Sequence, residues 1–271
     1  ESDREALDSA YIRTCVPDNW NQEKLLDPYG YYGSVASDKN KDKVSNAASG
    51  KAVTAFSPDI EVNSSDDPLS HVYHITAGTQ AIKVKAKENG TSFAPFIISI
   101  LSNAIANCYD AKDADIVSVM PADFRRIYNS DTVVNFSDSV KIISTEETRK
   151  LNKADECATY KSMIEEGRNI ENVDALLIDK AETTRKLISS NNYLETVDGI
   201  LHPKNPPAMA APMTCVVTYP GIIDMPELLN GLIDNMYLEM VSPRLKFYFI
   251  VHSYKDDLLI QVIQHFDRDE L

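Results

Sequence analysis

Ile116, Val117, Val119 and Met120 form a short, almost unbroken apolar run that Pro121 ends. A half-buried strand alternates apolar and polar side chains, whereas a strand apolar on both faces lies inside a sheet covered on both sides. Just past the proline come an acid, an aromatic ring and two guanidinium groups, Asp123, Phe124, Arg125 and Arg126. In open sheets packed with helices, the carboxyl ends of strands border the crevice where ligands sit. Taken alone, the segment equally suits a proline-terminated strand with a solvated arginine pair. Its neighbours favour a site.

Before it, Phe93, Phe96, Ile97, Ile100, Leu101, Ala104, Ile105 and Cys108 recur at three- and four-residue spacing. That predicts a helix over 91–108, capped by Thr91 or Ser92, with Pro95 in the first turn, where no donor is needed. After it come Asp131–Ser137 and a second β run at Val140–Ile143. Further strands are predicted near 70–76, 213–218, 245–254 and 258–266, the last two turning at Lys255, Asp256 and Asp257 and apolar on both faces. The strand at 213–218 is expected to stop at Tyr219, Pro220 and Gly221.

Ser144–Glu147 is a capping-box sequence opening a helix to about Glu166. Asn172 is expected to cap another helix, to about Ser190, with Val173, Leu176, Leu177, Thr184, Leu187 and Ile188 inward. Thr79–Asn89 stays open: Ile82, Val84 and Ala86 alternate with lysines as in a strand, yet Gly90 and Thr91 read as a helix stop followed by a start. Arg4–Ile12 suits a short amphipathic helix. Asp27–Gly33 reads as a tethered loop with its rings tucked onto the domain. Ser37–Pro68, poor in apolar residues, reads as a mobile connector with one short strand near 53–56. Four prolines between Gly199 and Pro212 predict a long irregular loop.

A helix feeding a strand that ends in P-x-D-[FL]-R (Pro121, Asp123, Phe124, Arg125), followed by N-F (Asn135, Phe136), resembles the second half of the chloramphenicol-acetyltransferase-like superfamily. The resemblance is to its two-lobed branch of condensation domains and bacterial alcohol acetyltransferases, and covers about Leu69 to Phe266. It implies an α/β fold, a two-layer sandwich of helices on a mixed sheet, with 1–68 a polar N-terminal segment and inter-lobe connector and 69–271 the C-terminal lobe. It implies a helix over 79–89. The activity implied is CoA-dependent or carrier-dependent acyl transfer from a thioester to an alcohol or amine, with acyl-CoA or a phosphopantetheinyl thioester as donor and no permanently bound cofactor. The general base is the histidine of an H-H-x-x-x-D-G motif in the first lobe, a neutral imidazole suiting that task near neutral pH. The motif's Asp pairs with an arginine, by position Arg125 with Arg126 as fallback, through a rigid fork that lysine lacks. Asp123, Asn135 and Thr218 support the site. The chain starts at Glu1 without Met and reads as part of something longer, so the first lobe is expected as its partner. Val134 replaces a glycine before N-F, and Tyr219 replaces the asparagine of a late T-N-x-G segment. The second reading is a non-catalytic binding or scaffolding module that keeps the fold.

Within the chain, His252 and Asp256 form an H-x-x-x-D, without the second histidine and with Asp257 in the glycine's place. A histidine at the edge of a hairpin explains it better. No G-x-S-x-G, P-loop, G-x-G-x-x-G or H-E-x-x-H occurs. His71 and His74 fall on opposite faces of a strand and cannot share a metal; none is expected. A net charge of −14 disfavours nucleic acid and anionic membrane surfaces as partners. No apolar stretch approaches the ~20 residues of a membrane span. Cys15, Cys108, Cys157 and Cys215 are too scattered for a zinc site or disulfide framework; with Cys108 and Cys215 in apolar runs as buried thiols, a reducing, cytoplasmic setting is expected.

Overall fold

A computed structural model describes residues 27–39, 53–58, 71–189, 194–195, 213–240 and 246–264. In chain order these form α1 (Pro28–Lys39), β1 (His71–Gly78), α2 (Thr79–Glu88), α3 (Phe93–Cys108), β2 (Ile116–Asp123), α4 (Arg125–Tyr128), β3 (Ser137–Ser144), α5 (Glu146–Arg149), α6 (Lys153–Gly167), α7 (Ile170–Ile188), β4 (Cys215–Ile223), α8 (Glu227–Asn230), β5 (Phe247–Tyr254) and β6 (Asp257–Gln264). The strands make one mixed, open sheet in the order β1-β6-β5-β4-β2-β3. β2, β4 and β5 are parallel neighbours, while β3, β6 and β1 each pair antiparallel with the strand beside them. The predicted α/β arrangement of helices on a mixed sheet is the one observed.

Every residue of β5 is buried, because its two faces enter different packing layers. Phe247, Phe249 and Val251 join Ile97, Leu101, Ile105, Tyr160 and Leu177 under the helices. Tyr248 and Ile250 pack with Ile263 and Leu238 on the other face. Each such fully buried side chain contributes about 1.5–3 kcal/mol relative to exposure.

The helix layer departs from periodicity where polar groups are buried. On α3, Ile100 is exposed while Ser99 is buried, because Ser99 faces Glu156 of α6. Glu156 accepts from Ser99 Oγ, Asn103 Nδ2 and Lys153 Nζ, each at 2.7 Å. A buried carboxylate is tolerable only when so supplied. Tyr160 OH completes the network, 3.1 Å from Glu156 and 2.7 Å from Ser144 Oγ, and burial raises its pKa. The helix expected from the capping box is two: α5 stops after one turn, and α6 starts anew because Asn152 Oδ1 accepts from Asp155 N at 3.0 Å. The next cap is Asn169 rather than Asn172, accepting from Glu171 N at 2.8 Å. On α7 the buried residues are Val173, Leu177 and Ala181, and Thr184 and Ile188 are exposed.

Residues 79–88 are helical, as the resemblance implied. Of the alternating lysines Lys85 and Lys87 are exposed and Lys83 is half-buried, and strand β1 is already complete at Gly78. The segment read as a tethered loop at 27–33 opens a helix instead, since Asp27 accepts from the N–H groups of Tyr29 and Gly30 and Pro28 suits a first helical position. Its rings do pack inward. Tyr29 and Tyr32 meet Phe136 at centroid distances of 5.7 and 5.2 Å, and Phe124 and Tyr128 close around the same ring. Near 53–56 a single parallel bridge, Ala55 to Asp115, replaces the short strand. The expectations for 4–12, most of 37–68 and 199–212 fall outside the described residues.

Phe136→Ala is expected to cost about 3–5 kcal/mol in a urea unfolding experiment, since the ring is fully buried among four others. Gly33→Val should cost about 1–3 kcal/mol by the same measurement, because a Cβ there would lie 2.6 Å from the Leu177 carbonyl oxygen across the α1–α7 contact.

Candidate functional site at a fork in the sheet

The parallel pairing of β2 with β4 lasts only two residues, Ser118 with Cys215 and Val119 with Val216. Each strand then stays paired with its outer neighbour, β2 with β3 and β4 with β5. The inner edges part. Pro121 and Pro220, one on each strand, bring no ladder donor to this region. Beyond Thr218, β4 also bulges by one residue before Gly221 pairs with His252, with Gly221 at φ 92°, where a side chain would be strained. β4 therefore continues to Ile223 rather than stopping at Tyr219.

Between the parted edges lies a groove of about 640 Å³, in the size range of small-molecule sites. Its walls are Met120–Asp123 of β2, Tyr219–Ile222 of β4, the start of α3 at Ser92, Ala94 and Pro95, and Lys161, Ile164, Glu165 and Arg168 of α6, with Arg126 beside them. Ser92 is the N-cap of α3 but makes no side-chain cap, and neither does Thr91 serve as one. Tyr219 stacks on Phe93 at 4.8 Å, and burial raises its pKa.

Arg125 is engaged close to home. Its Nε donates to Thr132 O at 2.8 Å, Nη2 to Val134 O at 2.9 Å and Nη1 to Asp123 Oδ1 at 2.9 Å. Asp123 Oδ1 also accepts from Arg125 N at 3.0 Å. The carboxylate expected from another segment is here supplied two residues upstream. The fork thus ties the end of β2 to the 129–135 loop, whose first residue, Asn129, takes the left-handed conformation that Asn tolerates. Phe124 N donates to Phe136 O at 2.9 Å and closes the same loop. Arg125 borders a shallow hollow next to the groove, with Arg126, Asn129, Ser130 and Asp131.

The other predicted residues do not converge with it. Asn135 is exposed and accepts from Ser137 Oγ at 2.7 Å. Thr218 faces away from the helices, its Oγ1 2.7 Å from Tyr248 OH. His252 is fully buried under residues 233–238, with Nε2 2.9 Å from Met236 O. Asp256 sits in the β5–β6 turn, where its carbonyl accepts from Thr79 N at 2.9 Å. No bond joins His252 to Asp256 among the described residues; both belong to the expected β5–β6 hairpin, but β5 is an inner strand, so His252 does not lie at an edge. Arg126 and Arg168, by contrast, reach the groove without a side-chain hydrogen bond or ion pair among the described residues. Sequence reasoning named Arg126 only as a fallback and missed Arg168, which carries no motif and is recognisable only once α6 is laid beside the fork. Among the described residues no three His, Cys, Asp or Glu are grouped to hold a metal, and no single helix is long and apolar enough to cross a membrane.

Cys108 is exposed at the end of α3 rather than buried, whereas Cys157 and Cys215 are buried. Burial pushes the Cys215 thiol up to about 12. At pH 8, iodoacetamide should therefore alkylate Cys108 and leave Cys215 intact until the chain unfolds, as read by peptide mass spectrometry. Arg125→Gln is expected to cost about 1.5–3 kcal/mol, the range for hydrogen bonds to a charged group, and to speed amide exchange over 130–135. Arg125→Lys should restore little of either, lacking the fork.

The sequence matches no protein-family model and no curated protein. Among solved structures, the chain is similar to the PapA2 acyl transferase, with 12% identity and a TM-score of 0.50 over 97% of this chain and 55% of that one. It is similar also to the condensation domain of the monacolin K polyketide synthase MokA, with 10% identity and a TM-score of 0.50 over 98% of this chain and 62% of that one. The chain thus spans less than two thirds of the length of these structures. The fold is the chloramphenicol-acetyltransferase-like fold of condensation-type acyltransferases.

Proposed function

We propose that this chain is the C-terminal lobe of a two-lobed acyltransferase that moves an acyl group from a thioester to an alcohol or amine. The observation that carries the reading is the groove at the β2–β4 fork, which opens at the carboxyl ends of parallel strands in a fold shared with an acyl transferase and a condensation domain. The groove forms one wall of the reaction channel. The donor is acyl-CoA or a phosphopantetheinyl thioester on a carrier protein.

The general base comes from a second lobe, as the resemblance implies. Its imidazole takes the O–H or N–H proton of the acceptor, the new C–O or C–N bond forms at the thioester carbonyl, and the C–S bond breaks. The sulfur then leaves as a thiol with the same proton. Within this lobe Arg125 is a positioning residue that fixes the end of β2 and the loop after it. A non-catalytic binding module is the second reading, favoured by one observation: His71, His74 and His252, the histidines among the described residues, all lie off the groove.

Acetyl transfer from acetyl-coenzyme A, followed as free thiol, tests the reading. The 271-residue chain alone should show no transfer above background, and His252→Ala should change nothing. The complete polypeptide should be active, and should lose activity when its first-lobe histidine is replaced. Turnover by this chain alone that vanishes with His252→Ala would falsify the assignment, and an inactive complete polypeptide lacking the motif would decide for the binding module.

A further inference from the structure

The charge in the groove runs against the charge of the chain. The protein carries a net −14, yet Arg126, Lys161 and Arg168 stand along one opening with only Asp123 and Glu165 as acids. Both acids have partners: Asp123 holds Arg125 at 2.9 Å, and Glu165 lies 3.7 Å from Lys161. That leaves two guanidinium groups without a carboxylate among the described residues, one from α4 and one from the end of α6. They rim a slot whose deeper wall is apolar, made by Pro95, Met120, Ala122 and Ile164. Two guanidinium groups from separate elements face the same opening, with no carboxylate partner among the described residues and an apolar wall behind them. Guanidinium binds phosphate and carboxylate oxygens through paired N–H donors.

We propose that Arg126 and Arg168 form an anion subsite, which receives the phosphate-like or carboxylate end of a ligand whose apolar part lies in the β2–β4 fork. The inference rests on the groove being a ligand site, as under the proposed function, and adds which residues hold the charge. The anion belongs either to the thioester donor or to the acceptor, and both present the same chemistry to the two arginines. Because both side chains are solvent-exposed, binding should weaken as ionic strength rises.

Isothermal titration of the 271-residue chain with hexyl phosphate and with 1-hexanol tests it, using wild type, Arg126→Gln, Arg168→Gln and the double variant. Hexyl phosphate should bind more tightly than 1-hexanol, each single variant should weaken it severalfold and the double variant at least tenfold. Hexanol binding should not change, and Lys161→Gln should have the smallest effect on hexyl phosphate, its ammonium being already paired. Circular dichroism checks that the variants, altered only at exposed positions, stay folded. Equal affinity for the phosphate and the alcohol, no binding of the phosphate, or undiminished phosphate binding by the double variant each overturns the proposal. Competition by coenzyme A assigns the anion to the donor. Hexyl phosphate binding without such competition assigns it to the acceptor, and keeps the subsite even if thioester chemistry fails.

Discussion

β2 and β4 share two register pairs and then separate, and the functional architecture depends on that separation. A sheet zipped to its end would leave no room between α3 and α6 for anything but side chains. Here each strand remains anchored on its outer side, β2 by eight pairs to β3 and β4 by seven to β5, so the inner edges can part without either strand losing its place. The prolines at 121 and 220 lower the cost of parting, since neither had a donor to lose.

Two devices keep the fork in shape. On the helix side, Glu156 gathers Ser99, Asn103, Lys153 and Tyr160 around one buried carboxylate, which fixes α6 against α3. Buried polar networks tolerate few alternative arrangements, because any shift strands a charge in apolar surroundings. On the strand side, Arg125 and the Phe124–Phe136 pair fasten the end of β2 to the loop that returns as β3. The adjacent arginines divide the work. Arg125 bonds inward to two carbonyls and an acid, and Arg126, one residue on around a single helical turn, is left facing the groove.

The strands were largely legible because their apolar runs are dense and turns bound them. The six longer ones occur, with ends shifted by a few residues, whereas the short one near 53–56 is a single bridge. β4 was the exception, since Tyr219-Pro220-Gly221 has the composition of a turn and serves as a bulge. Helix starts were harder. Thr145, Asn152 and Asn169 all cap with their side chains, but Asn172 lies close enough to the last to be chosen in error, and only the backbone path separates them. On the inner face of α7 Val173 and Leu177 are buried as expected, but the next buried position is Ala181, small enough to seat against Gly33 of α1, rather than Thr184 or Ile188.

While the class of the fold came through the family resemblance, by itself the sequence determined where most of the strands run, the position of the acid–aromatic–arginine cluster at a strand's end and the hairpin that holds His252 and Asp256. These follow from local pattern: runs of buried residues, prolines and turns act over a few positions. What only the tertiary structure decided is where the sheet opens, which arginine is occupied, and that Arg168 faces the same slot as Arg126 from 42 residues away in the chain. Pairing between distant segments sets those features, and a side chain's freedom depends on neighbours that the linear order does not reveal.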